Sequence, residues 1–150
     1  MPRRRKFILV GGVVLIGVVG WIAHVIIRTA THIPEAYAAW DTGTLLVEYL
    51  KTHGDRWPSS WNDLLTVLDS EAGERIPLRG AQAGDHEYAR SLRDKVAVDW
   101  TFDASQAGGK APITRPDGKP FPIVWSGAEP NEMVRHYLRE RAGTRPSTSP

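Results

Sequence analysis

The chain has 150 residues, no cysteine, and a net charge of +2 from 19 Lys/Arg and 17 Asp/Glu. The missing thiols exclude disulfide staples, thiolate metal sites and cysteine nucleophiles. Five of the Lys/Arg and none of the Asp/Glu fall in residues 1–28, so residues 29–150 carry a net −3; without a basic footprint, nucleic acid is not an expected partner.

The N-terminus reads Arg3-Arg4-Arg5-Lys6, then 21 residues without formal charge from Phe7 to Ile27, then Arg28. At about 1.5 Å per helical residue such a run reaches about 31 Å, against a bilayer hydrocarbon core of about 30 Å. This predicts a transmembrane helix over 7–27, acting as an uncleaved signal-anchor with the lipid bilayer as its partner. The positive-inside bias makes residues 1–6 a cytoplasmic basic flank and places residues 28–141 outside the cytoplasm, on a bacterial-type inner membrane. Trp21 and His24 then lie near the headgroups. A cleaved signal has a shorter apolar region and a small-residue site just beyond it, whereas Ala36-Tyr37-Ala38 lies well past this run. Arg4-Arg5-Lys6-Phe7-Ile8 also resembles a twin-arginine export signal, a pattern that a basic anchor flank produces by chance. Gly11, Gly12, Gly17 and Gly20 contain no pair at spacing four, so the run lacks the small-xxx-small template of associating membrane helices.

Beyond the run, residues 33–53 are predicted to form a helix, with Pro34 in its first turn and Gly54 as terminator. Ala36, Trp40, Gly43, Val47 and Leu50 share one face, joined by Tyr37, Ala39 and Leu46, while Asp41, Glu48 and Lys51 fall on the remainder. A break or kink is expected near Pro34. Gly54-Asp55-Arg56-Trp57-Pro58 punctuates a turn. Ser60 with Asp63 then forms a capping box for a short helix to about Leu68.

Residues 69–92 show little periodicity and read as a long loop with room for a short helix. Val96 to Phe102 alternates as a strand, and Asp117-Gly118 between two apolar stretches predicts a hairpin of 111–115 with 120–125. Pro120 and Pro122 make the second strand an edge or an irregular one. Met133, Val134, Tyr137 and Leu138 give an amphipathic helix over 130–141, and residues 142–150 read as a disordered polar tail. The expected fold class is α+β: an N-terminal transmembrane helix continuing into an amphipathic helix, a small antiparallel sheet and a C-terminal helix. Trp40, Trp57, Trp61, Trp100 and Trp125 are the candidate core.

The segment from Leu46 to Leu64, with Gly54-Asp55-Arg56-Trp57-Pro58 at its centre, resembles the end of the long helix and the Gly-x-aromatic-Pro turn of type II secretion pseudopilins and their type IV pilin relatives. Asp117-Gly118-Lys119-Pro120-Phe121 is similar to that family's Asp-x-x-Gly-x-Pro-aromatic segment, with a shorter Asp-to-Gly spacing. Lys6 stands where pilins carry the processing-site Gly, and Gly11 where they carry a Glu at the fifth mature position. The resemblance therefore implies a pilin-like architecture, with membrane or secretion-system proteins as partners, and not processing or standard filament assembly.

No catalytic signature is found, so an enzyme is not expected, and no cofactor or metal site is assigned. Asp85-His86-Glu87 is the densest group of ligand-type side chains, but adjacent loop residues rarely converge on one ion. Asp99 and Asp103 are two carboxylates of the kind that glycosidic chemistry needs, and strand alternation explains Asp99 as a solvent-facing residue. Ser59 and Ser60 fit a turn and a cap, with no nucleophile elbow, and Gly108-Gly109-Lys110 fits a turn. His53 and His136 sit near helix ends. The candidate interaction surface is Arg56, Trp57 and Trp61. The expected function is a structural or protein-interaction role; the alternative is an anchored sensor or ligand-binding module with an aromatic cleft.

Overall fold

A computed structural model describes residues 2–144 apart from Ala72, residues 106–109, Ile123, Trp125, Ser126 and Ala128; the side chains of residues 2–16, Ala23, residues 26–31 and Thr144 also lie outside the description. The chain divides into two compact units, Met1–Ile33 and Pro34–Pro150. Helix α1 spans Pro2–Thr52 and gives the first unit its described structure. The second unit, the head, contains residues 34–52 of α1, then α2 (Trp61–Leu65), α3 (His86–Ser91), strands β1 (Ala97–Val98) and β2 (Ile113–Thr114), and α4 (Pro130–Thr144). Pro34 lies inside α1.

The expected transmembrane helix over 7–27 is corrected: among the described residues, no helix is long and apolar enough to cross a membrane. Within that run, the described side chains are confined to residues 17–25. That stretch rises about 14 Å, less than half of a hydrocarbon core of about 30 Å. Farther along, α1 carries Glu35, Asp41, Glu48 and Lys51, groups that a bilayer interior accepts only at high cost. Residues 7–16, Ala23 and residues 26–27 of the expected span lie outside the described side chains.

The head is organised around the last five turns of α1. Ala38, Thr42, Leu45, Leu46, Tyr49 and Leu50 are fully buried and recur at the three-to-four spacing of one helix face. Leu64, Leu68, Leu92, Val96, Ile113 and Val134 close on that face from the other elements. The core is therefore built from leucine, valine and Tyr49. Trp57, Trp61 and Trp100 are half-buried and pack on its rim, Trp40 is half-buried as well, and Trp125 lies outside the described residues. Gly43 lets α4 approach α1 closely: a Cβ there would stand 2.9 Å from the Cα of Pro130.

The long 69–92 segment follows a 3-10 turn at Thr66–Asp69 and holds another at Gly73–Arg75, and then the short helix for which it had room, α3, with Asp85 as its N-cap, accepting the Tyr88 amide at 2.9 Å. Elements this short give no periodic signal. The sheet is antiparallel, pairing Ala97 with Thr114 and Val98 with Ile113. β1 stops early because Asp99 turns the chain: its Oδ1 accepts the Thr101 amide at 3.0 Å and the Thr101 hydroxyl at 2.7 Å, a local bond that competes with strand pairing.

The Asp117-Gly118 turn forms as expected, with the Gly118 amide donating to the Arg115 carbonyl and the Arg115 amide to the Lys119 carbonyl. No strand follows it among the described residues of 120–125; Pro120 and Pro122 have no N–H to donate to a ladder. β2 pairs with β1 instead. Helix α4 runs three residues past the expected end at Arg141, taking in 142–144 of the expected tail. Residues 145–150 of that tail lie outside the description.

Candidate functional site

Three tyrosine–aspartate hydrogen bonds hold the head together. Tyr49 in α1 donates to Asp63 Oδ1 of α2 at 2.8 Å. Tyr88 in α3 donates to Asp41 Oδ2 of α1 at 2.8 Å, and Tyr137 in α4 donates to Asp55 Oδ1 in the turn after α1 at 2.7 Å. Bonds of this kind, with an ionised acceptor, are roughly twice as strong as neutral ones. In a cysteine-free domain they take the place of covalent staples. Burial first, and the aspartate partner second, raise the hydroxyl pKa of Tyr49 and Tyr88 and push that of Tyr137 up to about 12.

A raised tyrosine pKa contributes stability that is complete below the unfolded value near 10 and is lost as pH rises through the folded value. Between pH 10 and about 12 the urea midpoint of the wild type should therefore fall more steeply than that of Tyr137→Phe. Equal slopes would show that the Tyr137–Asp55 bond is not made in solution.

The turn between α1 and α2 distributes the three expected site residues differently. Asp63 organises it: Oδ2 accepts the Ser59 amide at 2.8 Å and the Ser59 hydroxyl at 3.0 Å, while Ser60 caps the Asp63 amide at 3.1 Å. The Ser59 amide first, and then Tyr49, hold the Asp63 carboxyl below the usual range. Arg56 is exposed and donates to the Tyr49 hydroxyl at 3.3 Å. Trp57 donates its Nε1–H to the Asp99 carbonyl at 2.9 Å and tilts against Phe102, centroids 4.8 Å apart.

Trp61 packs edge-on against Trp100 at 5.5 Å. It also lines a cleft of about 210 Å³ in which neither Arg56 nor Trp57 takes part. One wall of that cleft is α2 and the turn after it, with Trp61, Asn62, Leu65, Thr66 and Asp69; the other carries His86 and Arg90 of α3 and Arg93.

A larger open groove of about 650 Å³ lies along α4 and is lined by residues of both signs. Lys51 pairs with Glu48, Arg139 with Glu132 at 3.7 Å, and His136 with Glu140 at 3.4 Å, so its charges are largely internally compensated. In the Trp61 cleft, by contrast, Arg90 and Arg93 have no hydrogen-bond or ion-pair partner among the described residues.

The remaining ligand-type groups make local contacts. Asp85 caps α3, and His86 Nδ1 stands 4.0 Å from Asp69. Asp99 and Asp103 each hold a local turn, through Thr101 and Ser105; the Thr101 hydroxyl, then its amide, hold the Asp99 carboxyl below the usual range. Among the described residues, no group of three His, Cys, Asp or Glu is placed to hold a metal. Gly108 and Gly109 lie outside the description.

Two polar residues central to the head were missed from sequence. Asp41 is fully buried; its Oδ1 accepts the Arg79 amide at 2.7 Å, and its Oδ2 accepts the Gly80 amide at 2.9 Å as well as Tyr88. Gly80 has no alternative there, since a Cβ would collide with the Tyr88 hydroxyl. Asn131, 6% exposed, accepts the Ile113 amide at 2.8 Å and donates to the Ile113 carbonyl at 2.9 Å, so its side chain acts as a further pairing partner for β2. The usable signal for Asp41 was its position in register with Ala38 and Leu45. Asn131 carried none.

No protein-family model, functionally described protein or solved structure matches this chain.

Proposed function

We propose that the head is a protein-interaction module with a structural role, as the architectural resemblance to pseudopilins implies. One observation carries this reading: the aspartates with chemical potential are committed to hydrogen bonds within the fold. Asp41, Asp55 and Asp63 are bound to tyrosines of three different helices, and Asp99 and Asp103 to local turns. A general acid or base must be free to exchange a proton with a substrate; these groups are arranged for rigidity. Fixed short elements around one long helix give a surface that loses little freedom when it binds.

Site-specific photocrosslinking tests the reading. A photoreactive residue is placed singly at the exposed positions Asn62, Glu87, Lys119 and His136 of the full chain, in the cells that carry it. The module reading expects discrete protein adducts from a contiguous subset of positions. Absence of protein adducts at all four, with the chain folded, would count against it.

A further inference from the structure

The cleft beside Trp61 holds the chemistry that the scaffold leaves unused. Arg90 and Arg93 both line it, both are exposed, and neither guanidinium has a partner among the described residues. The carboxylate on its rim is Asp69, 4.0 Å from His86 Nδ1, so two permanent cations face one anion. A guanidinium is a planar fork of donors that matches a carboxylate with two parallel bonds. Across from the arginines, Trp61 and Leu65 offer apolar surface for the methylene stem of an acidic side chain. The Asn62 amide offers both a donor and an acceptor for a peptide group.

Size decides between ligand classes. The volume of about 210 Å³ is below the roughly 300–1,000 Å³ of pockets that enclose drug-sized ligands. One or two side chains fill it; a nucleotide does not. The net −3 of residues 29–150 also argues against a polyanion spread over a wider surface. Both walls are pinned to α1, α2 by Tyr49–Asp63 and α3 by Tyr88–Asp41, so the cleft is formed before anything binds.

We propose that this cleft docks a short acidic segment of a partner protein, one or two Glu or Asp side chains seated between Arg90 and Arg93 with Trp61 and Leu65 against their stems. The proposal rests on the head being an interaction module and names the chemistry of its partner.

The test is a titration of the isotope-labelled full chain, followed at the Trp61 indole N–H resonance, which Trp61→Phe assigns. The probes are acetyl-Leu-Glu-Glu-Leu-amide, its Gln-Gln counterpart, inorganic phosphate, and phosphatidylglycerol vesicles. A saturable shift is expected with the Glu peptide, at least tenfold weaker with the Gln peptide. The same weakening is expected in the double variant Arg90→Gln, Arg93→Gln. Should that variant melt differently from the wild type, Arg90→Lys with Arg93→Lys is used instead, and an affinity between the two extremes is expected because charge remains and the fork is lost. Equal response to both peptides, no shift at millimolar peptide, or tighter response to phosphate or vesicles than to the Glu peptide overturns the proposal. Photocrosslinks elsewhere on the head together with a silent cleft would leave the module reading standing and remove this docking point.

Discussion

Alanine in place of Asp41 is expected to cost the head on the order of 3–5 kcal/mol, because hydrogen bonds to a charged acceptor are worth roughly 1.5–3 kcal/mol each and buried donors left unpaired add a penalty. The carboxylate is fully buried, and its loss would strand the Arg79 and Gly80 amides and the Tyr88 hydroxyl at once. Against a typical total stability of about 5–15 kcal/mol, a loss of this size leaves the head marginal or unfolded. Asp41→Asn keeps the volume but exchanges one acceptor for a donor, so about half of the alanine loss is expected. A double-mutant cycle with Tyr88→Phe in urea should return a coupling of about 1–2 kcal/mol. Additive effects would mean that the Asp41–Tyr88 bond contributes nothing.

Replacing Asn131 should have the next largest effect. Its amide satisfies both backbone groups of Ile113, at a position where water cannot substitute. Asn131→Ala is therefore expected to cost about 3 kcal/mol and to accelerate hydrogen exchange at the Ile113 amide ahead of the rest of the core. Asn131→Asp is a sharper case. The carboxylate can still accept the Ile113 amide, but it faces the Ile113 carbonyl and Glu129 Oε1, both acceptors, where the native amide donated. Facing two acceptors raises the folded-state pKa of such a carboxyl above the unfolded value near 4, and protonation restores a donor, so the stability gap between Asn131→Asp and the wild type should narrow as pH falls from neutral and be fully narrowed by about pH 4. A gap independent of pH would show that Asn131 acts through its volume alone.

The two residues also mark the limit of what the chain reveals on reading. The long helix, its Gly54-Asp55 terminator, the Ser60 cap and the amphipathic α4 were legible because each depends on residues within four positions of one another. The sheet register was not, because Asp99 and the two prolines changed which strands could pair. Asp41 was read as part of the polar side of its helix; its burial is made favourable by Arg79, Gly80 and Tyr88, residues 38 to 47 positions away. A buried polar group is decided by such distant partners, and local pattern does not supply them. The candidate site shows the same division. Trp61 was read both as a core residue and as one of three surface residues with Arg56 and Trp57; it is half-buried and lines a cleft. Arg56 and Trp57, its neighbours in sequence, point into the scaffold's own hydrogen bonds. Arg90 and Arg93, distant in sequence, supply the opposite wall.

The tryptophan-centred core failed for a related reason. Indole is large and carries an N–H that needs an acceptor, so it settles where one edge reaches a carbonyl or solvent. Trp57 does so through the Asp99 carbonyl, leaving the centre to Leu45, Leu46, Tyr49 and Leu50.

The most direct test of the account is photocrosslinking at Asn62, on the rim of the Trp61 cleft, compared with Lys119 on the Asp117-Gly118 turn. An interaction module docking through the cleft predicts a discrete protein adduct at Asn62, lost in the Arg90→Gln, Arg93→Gln background. Adducts absent from every exposed position of a folded head, Asn62 included, would contradict the claim that this domain exists to bind another protein.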